Sequence, residues 1–356
     1  MARAPRTSAA SFALFKTCAW NQLSNPANAG GTFRHKAKTL LYDNCYTPSL
    51  DPALPPKVAL QNRALYLQMQ GIFTAVGAGR QIRRQRNGAW PVLNAANLAT
   101  EYQAWADWEW WETITWLTCG LVANPQPAAL SHNAQRAMGA YLHVYATGGR
   151  VENNNWRIAF NILPQNIAAA VAAMCPVLDG NADIGHFKVS APGTVGKPDS
   201  LIVYMRNNPA TYAGIRAAIL GAVGGLGMQA TFAPMWEEFA LGQGEGGEPP
   251  RVAWNGGANR SSISFGTYRC ILAVMAFDTA LANAGGLGGL TQVAFDGQVD
   301  QVFQNYGLAP ANPHDQQALN FAAGQALNDA FMTAYAGYRG VAGNTYTNVG
   351  GFLQDR

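Results

Sequence analysis

His186-Phe187-Lys188-Val189-Ser190 is followed, after a short link containing Pro192, Gly193 and Gly196, by Lys197-Pro198-Asp199-Ser200-Leu201-Ile202-Val203-Tyr204-Met205-Arg206. Both segments alternate β-branched or aromatic residues with polar ones, which is the pattern of strands. Successive strand side chains point to opposite faces. His186, Lys188 and Ser190 therefore share one face, and Phe187 and Val189 take the other. In the second strand Ser200, Ile202, Tyr204 and Arg206 share a face, opposite Leu201, Val203 and Met205. Only 12% of the chain is charged. Histidine, lysine, tyrosine and arginine gathered on two strands are therefore candidates for proton transfer and anion binding rather than surface filler.

Working outward, Trp156–Leu163 (WRIAFNIL) reads as a strand with Arg157, Ala159 and Asn161 on one face, ended by Pro164. Residues 165–176 form a helix that Pro176 stops. Residues 211–223 are helical again. A helix over 131–146 precedes this block. The order of strands and helices predicts an α+β domain, a mixed or antiparallel sheet flanked by helices. Further on, residues 233–260 read as a long loop rich in Gly, Pro and Glu. Ser264 stands where an N-cap would open an apolar helix over 265–283, with Arg269 about one turn inside. Helices follow over 293–306 and 315–336, separated by Gly307–His314, and the tail from 337 is loop-like.

The N-terminal part is expected to be irregular with some helix. Residues 1–60 contain repeated Pro and Asn and read as mostly irregular, and the basic, Ser/Ala-rich first 20 residues read as a frayed terminus or a leader for a secretion system. Residues 60–85 read as a helix running into a basic turn made by Arg80, Arg83, Arg84 and Arg86, a solvated loop or a docking patch. Trp105, Trp108, Trp110, Trp111 and Trp116 put rings on more than one face, which suits burial between subdomains.

Composition sets limits. At 356 residues and 49% hydrophobic, the chain can bury a large core. A formal net charge of +4 falls short of a nucleic-acid coat and fits at most an anionic ligand. No stretch reaches the length of continuous apolar residues that a membrane span needs. The five cysteines, Cys18, Cys45, Cys119, Cys175 and Cys270, are odd in number and without CxxC spacing. They suggest neither a zinc site nor a disulfide framework, and point to a reducing, cytoplasmic setting. Cys270 falls in an apolar run and reads as core. His35, His132, His143 and His314 have no partners at metal-ligand spacing and read as structural. No metal or cofactor is expected. Glu237 and Glu238 read as a solvated turn or a seat for a basic segment. GAVGGLG at 221–227 lacks the context of a phosphate-binding loop.

Four segments together carry a resemblance: Trp156–Leu163, the His186–Arg206 strand pair, Ser264-Phe265-Gly266 with Arg269, and Gly307–His314. Over roughly residues 130–320 the chain resembles the HopA-type effector family of plant-pathogenic bacteria, which also supplies lyases for class V lanthipeptides and thioamitides. More distantly it is similar to phosphothreonine lyases of bacterial effectors. The resemblance implies an N-terminal accessory or substrate-docking region over 1–130 and a lyase domain over 131–356. It implies that Lys188 removes the Cα proton and that Arg269, with Arg157 or Arg206, holds the phosphate. The family's acid is a histidine in an upstream strand, and the matching position here holds Asn161. His186 or Tyr204 is then the substitute, or the acid is missing and the chain is catalytically silent.

The implied activity is elimination of phosphate from phosphoserine or phosphothreonine, giving dehydroalanine or dehydrobutyrine. Such a reaction needs a neutral amine as base, so the lysine pKa must fall from about 10.4 toward neutrality. It also needs guanidinium forks for the leaving phosphate. The implied partners are a phosphorylated precursor peptide or phosphoprotein and a separate Ser/Thr kinase, with no nucleic acid and no membrane. The alternative is a type III secreted effector, or a silent binding partner on the same scaffold. A carbohydrate-processing reading is weaker, because the few acids show no catalytic pairing.

Overall fold

A computed structural model describes residues 4–26, 37, 40–46, 72, 75, 82–84, 92–93, 141–147, 154–190, 199–229, 235–249, 251–253, 260–262 and 265–316. In chain order these contain α1 (Ser8–Leu23), a π-helical turn (Tyr42–Tyr46), β1 (Ile82–Arg84), β2 (Val92–Leu93), β3 (Tyr141–Tyr145) and β4 (Trp156–Phe160). Then come α2 (Ile167–Gly180), β5 (Ile184–Ser190), β6 (Leu201–Met205), α3 (Tyr212–Val223), β7 (Glu237–Ala240) and β8 (Gln243–Gly247). Last are β9 (Arg251–Ala253), β10 (Arg260–Ser262), α4 (Phe265–Asn283) and α5 (Gln292–Asn305). The chain divides into two compact units, one of residues 56–231 and one of residues 1–55 with 232–356. The boundary expected at 130 falls inside the first.

The central unit, 56–231, is built on a six-stranded sheet in the order β2-β1-β3-β5-β6-β4, antiparallel at every pairing. The α+β class is as expected, with the sheet antiparallel. One face is apolar. Val144, Phe187, Val203 and Ile158 line up across four strands, and all are fully buried. Burying each such side chain contributes roughly 1.5–3 kcal/mol. Helix α2 packs on β5 and against α3, burying Ile167, Val171, Met174 and Leu178, while α3 buries Ile215, Ile219 and Val223. The end of β4 is held by Ser200, whose hydroxyl donates to the Phe160 and Ile162 carbonyls at 3.1 and 3.2 Å.

A bulge in β5 sets which side chains face which way. Ile184 opposes Met205 and His186 opposes Tyr204, so Gly185 is one residue extra on its strand. Without it, Ile184, His186 and Lys188 would share a face. With it, Ile184 joins the core at 1% exposure while His186 and Lys188 turn to the polar face. A Cβ at Gly185 would collide with the Asn154 amide, so a larger residue there has to displace that side chain.

The split unit, 1–55 with 232–356, is centred on α4, which packs on α5 and on α1. Phe277 meets Phe295 edge-on at 5.8 Å, and Phe12 of α1 meets Phe303 at 4.7 Å. Among the described helices, α4 alone is long and apolar enough to cross a membrane, and most of it is buried inside this unit as a core helix. It ends at Gly285 and Gly286, both at positive φ (68° and 123°), which glycine adopts without steric cost.

Several expectations are corrected. Residues 8–23 are a helix, capped by the Thr7 hydroxyl accepting from the Ala10 N–H, so the N-terminal region is neither irregular nor frayed there. Pro176 does not stop α2, which continues to Gly180 and keeps Leu178 in the core. Residues 141–145 are strand where helix was expected, and so are residues 82–84. The loop at 233–260 contains the hairpin β7–β8 and the pair β9–β10. Cys18 and Cys45 form a disulfide, which overturns the reading of the cysteines as all unpaired and removes their support for a reducing compartment. Cys270 is buried core, as expected. The tryptophan run, Arg80, Arg86, Ser264, His35, His132, the helix expected over 315–336 beyond residue 316, and the tail lie outside the described residues.

Candidate functional site

Strand register assembles the site on the polar face of the central sheet. Tyr145 opposes His186, His186 opposes Tyr204, and Tyr204 opposes Arg157, giving a straight row across β3, β5, β6 and β4. The next row is His143, Lys188, Ile202 and Ala159. Directly opposed strand residues lie about 4.5–5.5 Å apart at Cα, so the side chains of each row are in reach of one another.

The rings in this row stack. His186 lies on Tyr204 with centroids 4.4 Å apart and 12° between planes. Tyr145 and His143 pack on the same His186 ring at 5.0 and 5.2 Å. Two cations approach Tyr204: the Arg157 Cζ lies 5.1 Å and the Lys188 Nζ 6.0 Å from its centroid. Lys188 is 6% exposed and Arg157 3%. Neither points into solvent. A cation over an aromatic face is attracted by the ring quadrupole, and more strongly when water is excluded. The apolar row on the opposite side of the sheet fixes the backbone beneath these groups.

Of the residues singled out in the sequence, Lys188, His186, Tyr204 and Arg157 are brought together in this way. Arg206 follows β6 and is 45% exposed, 3.7 Å from the Asp183 carboxylate. That carboxylate also accepts from the Thr211 hydroxyl at 2.6 Å, so Arg206 joins a turn network at the start of α3. Asn161, just past β4, is fully buried, and its carbonyl accepts the Gln229 N–H at 2.7 Å.

Arg269 belongs to the split unit, where its side chain is 0% exposed. Its Nε and Nη2 donate to the Pro313 carbonyl at 3.1 and 2.7 Å, and its Nη1 donates to the Phe265 carbonyl at 3.3 Å. The guanidinium lies 3.4 Å from the Phe265 ring centroid. In the structure Arg269 therefore holds a loop through these carbonyls. Glu237 and Glu238 are likewise occupied: they accept the backbone N–H groups of Ser8 and Arg6 at 2.9 and 2.8 Å.

His143 was missed. It is buried at 7%, directly opposite Lys188 and stacked on His186. Its segment reads as helix because Ala, Met and Leu surround it. The available signal was the alternation in Tyr141-Leu142-His143-Val144-Tyr145.

With this geometry in place, comparison with solved structures is informative about the fold. The chain is similar to an effector protein from Pseudomonas syringae pv. syringae strain 61, with TM-score 0.53 and 14% identity over 88% of this chain and 99% of that one. An effector protein from Pseudomonas syringae pv. tomato strain DC3000 is similar at TM-score 0.49 and 14% identity, over 86% of this chain and 100% of the other. No family model matches the sequence, and no curated protein matches it. The chain thus has the fold of a bacterial effector protein. At this identity the likeness concerns the fold and not the residues of the site.

Proposed function

We propose that this protein is a HopA-type carbon–oxygen lyase. It eliminates phosphate from phosphoserine or phosphothreonine in a phosphorylated precursor peptide or phosphoprotein, after a separate kinase has acted. The observation that carries this reading is the pair of buried basic side chains, Lys188 and Arg157, facing one ring on a sheet row that also holds His186. In this reading Lys188 serves as the neutral amine base that the reaction needs. It takes the Cα proton. The electrons of that C–H bond form the Cα=Cβ bond, the Cβ–O bond breaks, and phosphate leaves with that electron pair toward the Arg157 fork. His143 or His186 supplies the proton to the leaving oxygen, which removes the need for an acid at Asn161. Tyr204 is the shared floor on which these groups are held.

The test is mass spectrometry of a phosphopeptide after incubation. Loss of phosphoric acid, leaving a dehydroamino acid, is the expected result. A product bearing the free hydroxyl means hydrolysis and sinks the reading.

A second reading is a secreted effector that binds a partner on the same scaffold without turnover. The similarity in fold to a Pseudomonas effector favours it. Lys188→Ala separates the two: it abolishes turnover under the first and leaves partner binding intact under the second.

A further inference from the structure

The N-terminal helix is tied to its unit by a circuit of contacts that contains one covalent link. Cys18, in α1, is bonded to Cys45 in the π-helical turn, 27 residues further on, with Cα atoms 5.6 Å apart. The next residue, Tyr46, is 3% exposed. Its hydroxyl accepts the Trp236 Nε1–H at 3.2 Å, and its ring sits where a Cβ on Gly266 would have to go. Trp236 stacks on Phe265 at 4.4 Å, and Phe265 lies under Arg269. Arg269 holds the Pro313 and His314 carbonyls, and His314 Nδ1 meets the Ser8 hydroxyl at 2.7 Å. Ser8 is the first residue of α1, and there the circuit closes.

We propose that Cys18–Cys45 is a reducible latch that holds α1 on the split unit and that a dithiol reductant opens it. The two sulfurs differ in access. Cys45 is 0% exposed, whereas Cys18 is half-buried, so attack is directed to one side. A thiolate of the reductant attacks the Cys18 Sγ, the Sγ–Sγ bond breaks, and Cys45 leaves as a thiolate that takes a proton. The reductant's second thiol then attacks the mixed disulfide and releases Cys18. Two electrons and two protons pass to the cysteine pair, and the reductant ends as its own disulfide. What then holds α1 is not covalent: the buried side chains of Phe12, Phe15, Ala19 and Leu23, ring contacts such as Phe12–Phe303, the half-exposed Lys16–Asp300 pair at 2.8 Å, and polar contacts that include those of Arg6 and Ser8 with β7, Ser11 with the Met235 N–H, and Ser8 with His314. An exposed ion pair adds little to that hold.

The experiment uses the whole chain. Alkylation of the denatured, unreduced protein followed by intact mass is expected to leave two of the five cysteines unmodified, and dithiothreitol is expected to free both. Limited trypsin digestion is then followed at Lys16, inside α1. Losing a cross-link over a loop of this size raises the opening equilibrium on the order of a hundredfold, and cleavage at Lys16 is expected to accelerate accordingly. The double variant C18S/C45S is expected to cleave at the reduced rate with or without dithiothreitol. Should that variant not fold, the reduced native sequence decides alone. Five reactive thiols before reduction, or a rate at Lys16 that reduction leaves unchanged, overturns the proposal. Collapse of the near-UV circular dichroism on reduction overturns it too, because the bond would then be a staple for the whole unit rather than a latch on one helix.

Discussion

The two units hold their buried arginines differently. In the split unit, Arg269 donates to main-chain carbonyls, and Glu238 accepts from the N–H groups of Arg6 and Gly242. These groups satisfy backbone that would otherwise be buried without partners, and they fix loops. In the central unit, Tyr145, His186, Tyr204 and Arg157 meet one another, ring on ring and cation on ring, in register across four strands. A buried arginine therefore means different things in the two places. Arg269 is architecture. Arg157 shares the Tyr204 ring with Lys188 and His186, and in the proposed elimination it is the fork that receives the phosphate.

The sharpest way to break this contrast is to exchange one residue from each side. Lys188→Ala is expected to lower elimination by about a thousandfold or more while the urea midpoint stays close to that of the native protein. Arg269→Ala is expected to cost about 3 kcal/mol or more, because several carbonyls lose their donor in a buried site; urea unfolding measures it. If Lys188→Ala unfolds the protein and Arg269→Ala does not, the contrast is wrong. Next in size is Gly185→Val. A side chain there collides with Asn154 and disturbs the bulge that turns His186 toward the polar face. The expected cost is about 1–3 kcal/mol, together with a loss of turnover that exceeds what the stability change explains.

The smallest effect is a pH dependence in the split unit. Burial pushes the His314 pKa below its ordinary value, with the Glu237 carboxylate pulling the other way. The unfolded chain then binds the proton more readily than the folded one. Stability from this group is fully present above the unfolded value of about 6.5. It is lost as pH falls from there toward the folded value, and no more is lost below it. Thermal melts between pH 7.5 and 5 are expected to show this slope in the native protein and a flatter one in His314→Asn.

How much of this was legible depends on the length of the pattern. Strands β4, β5 and β6 and helices α3, α4 and α5 announce themselves, because their apolar residues repeat at a local period over five residues or more. Strand β3 does not. Its five residues follow Ala- and Met-rich sequence of helical character, and pairing with β5 overrides that preference. Strand β8, Gln243–Gly247, has almost no strand propensity and exists through its hairpin with β7. Helix α1 was hidden by the Pro- and Asn-rich sequence around it, and the Cys18–Cys45 pair by an odd cysteine count.

The sequence by itself determined which residues alternate, Phe187 and Val189 on one face and His186 and Lys188 on the other, and an α+β layout from the succession of strands and helices. Only the tertiary structure decided which polar residues stand together. Side-chain direction along a strand is local and readable from its neighbours. Strand order and register are set by packing between distant segments. That is why His143 came to face Lys188, and why Arg269 came to hold a loop.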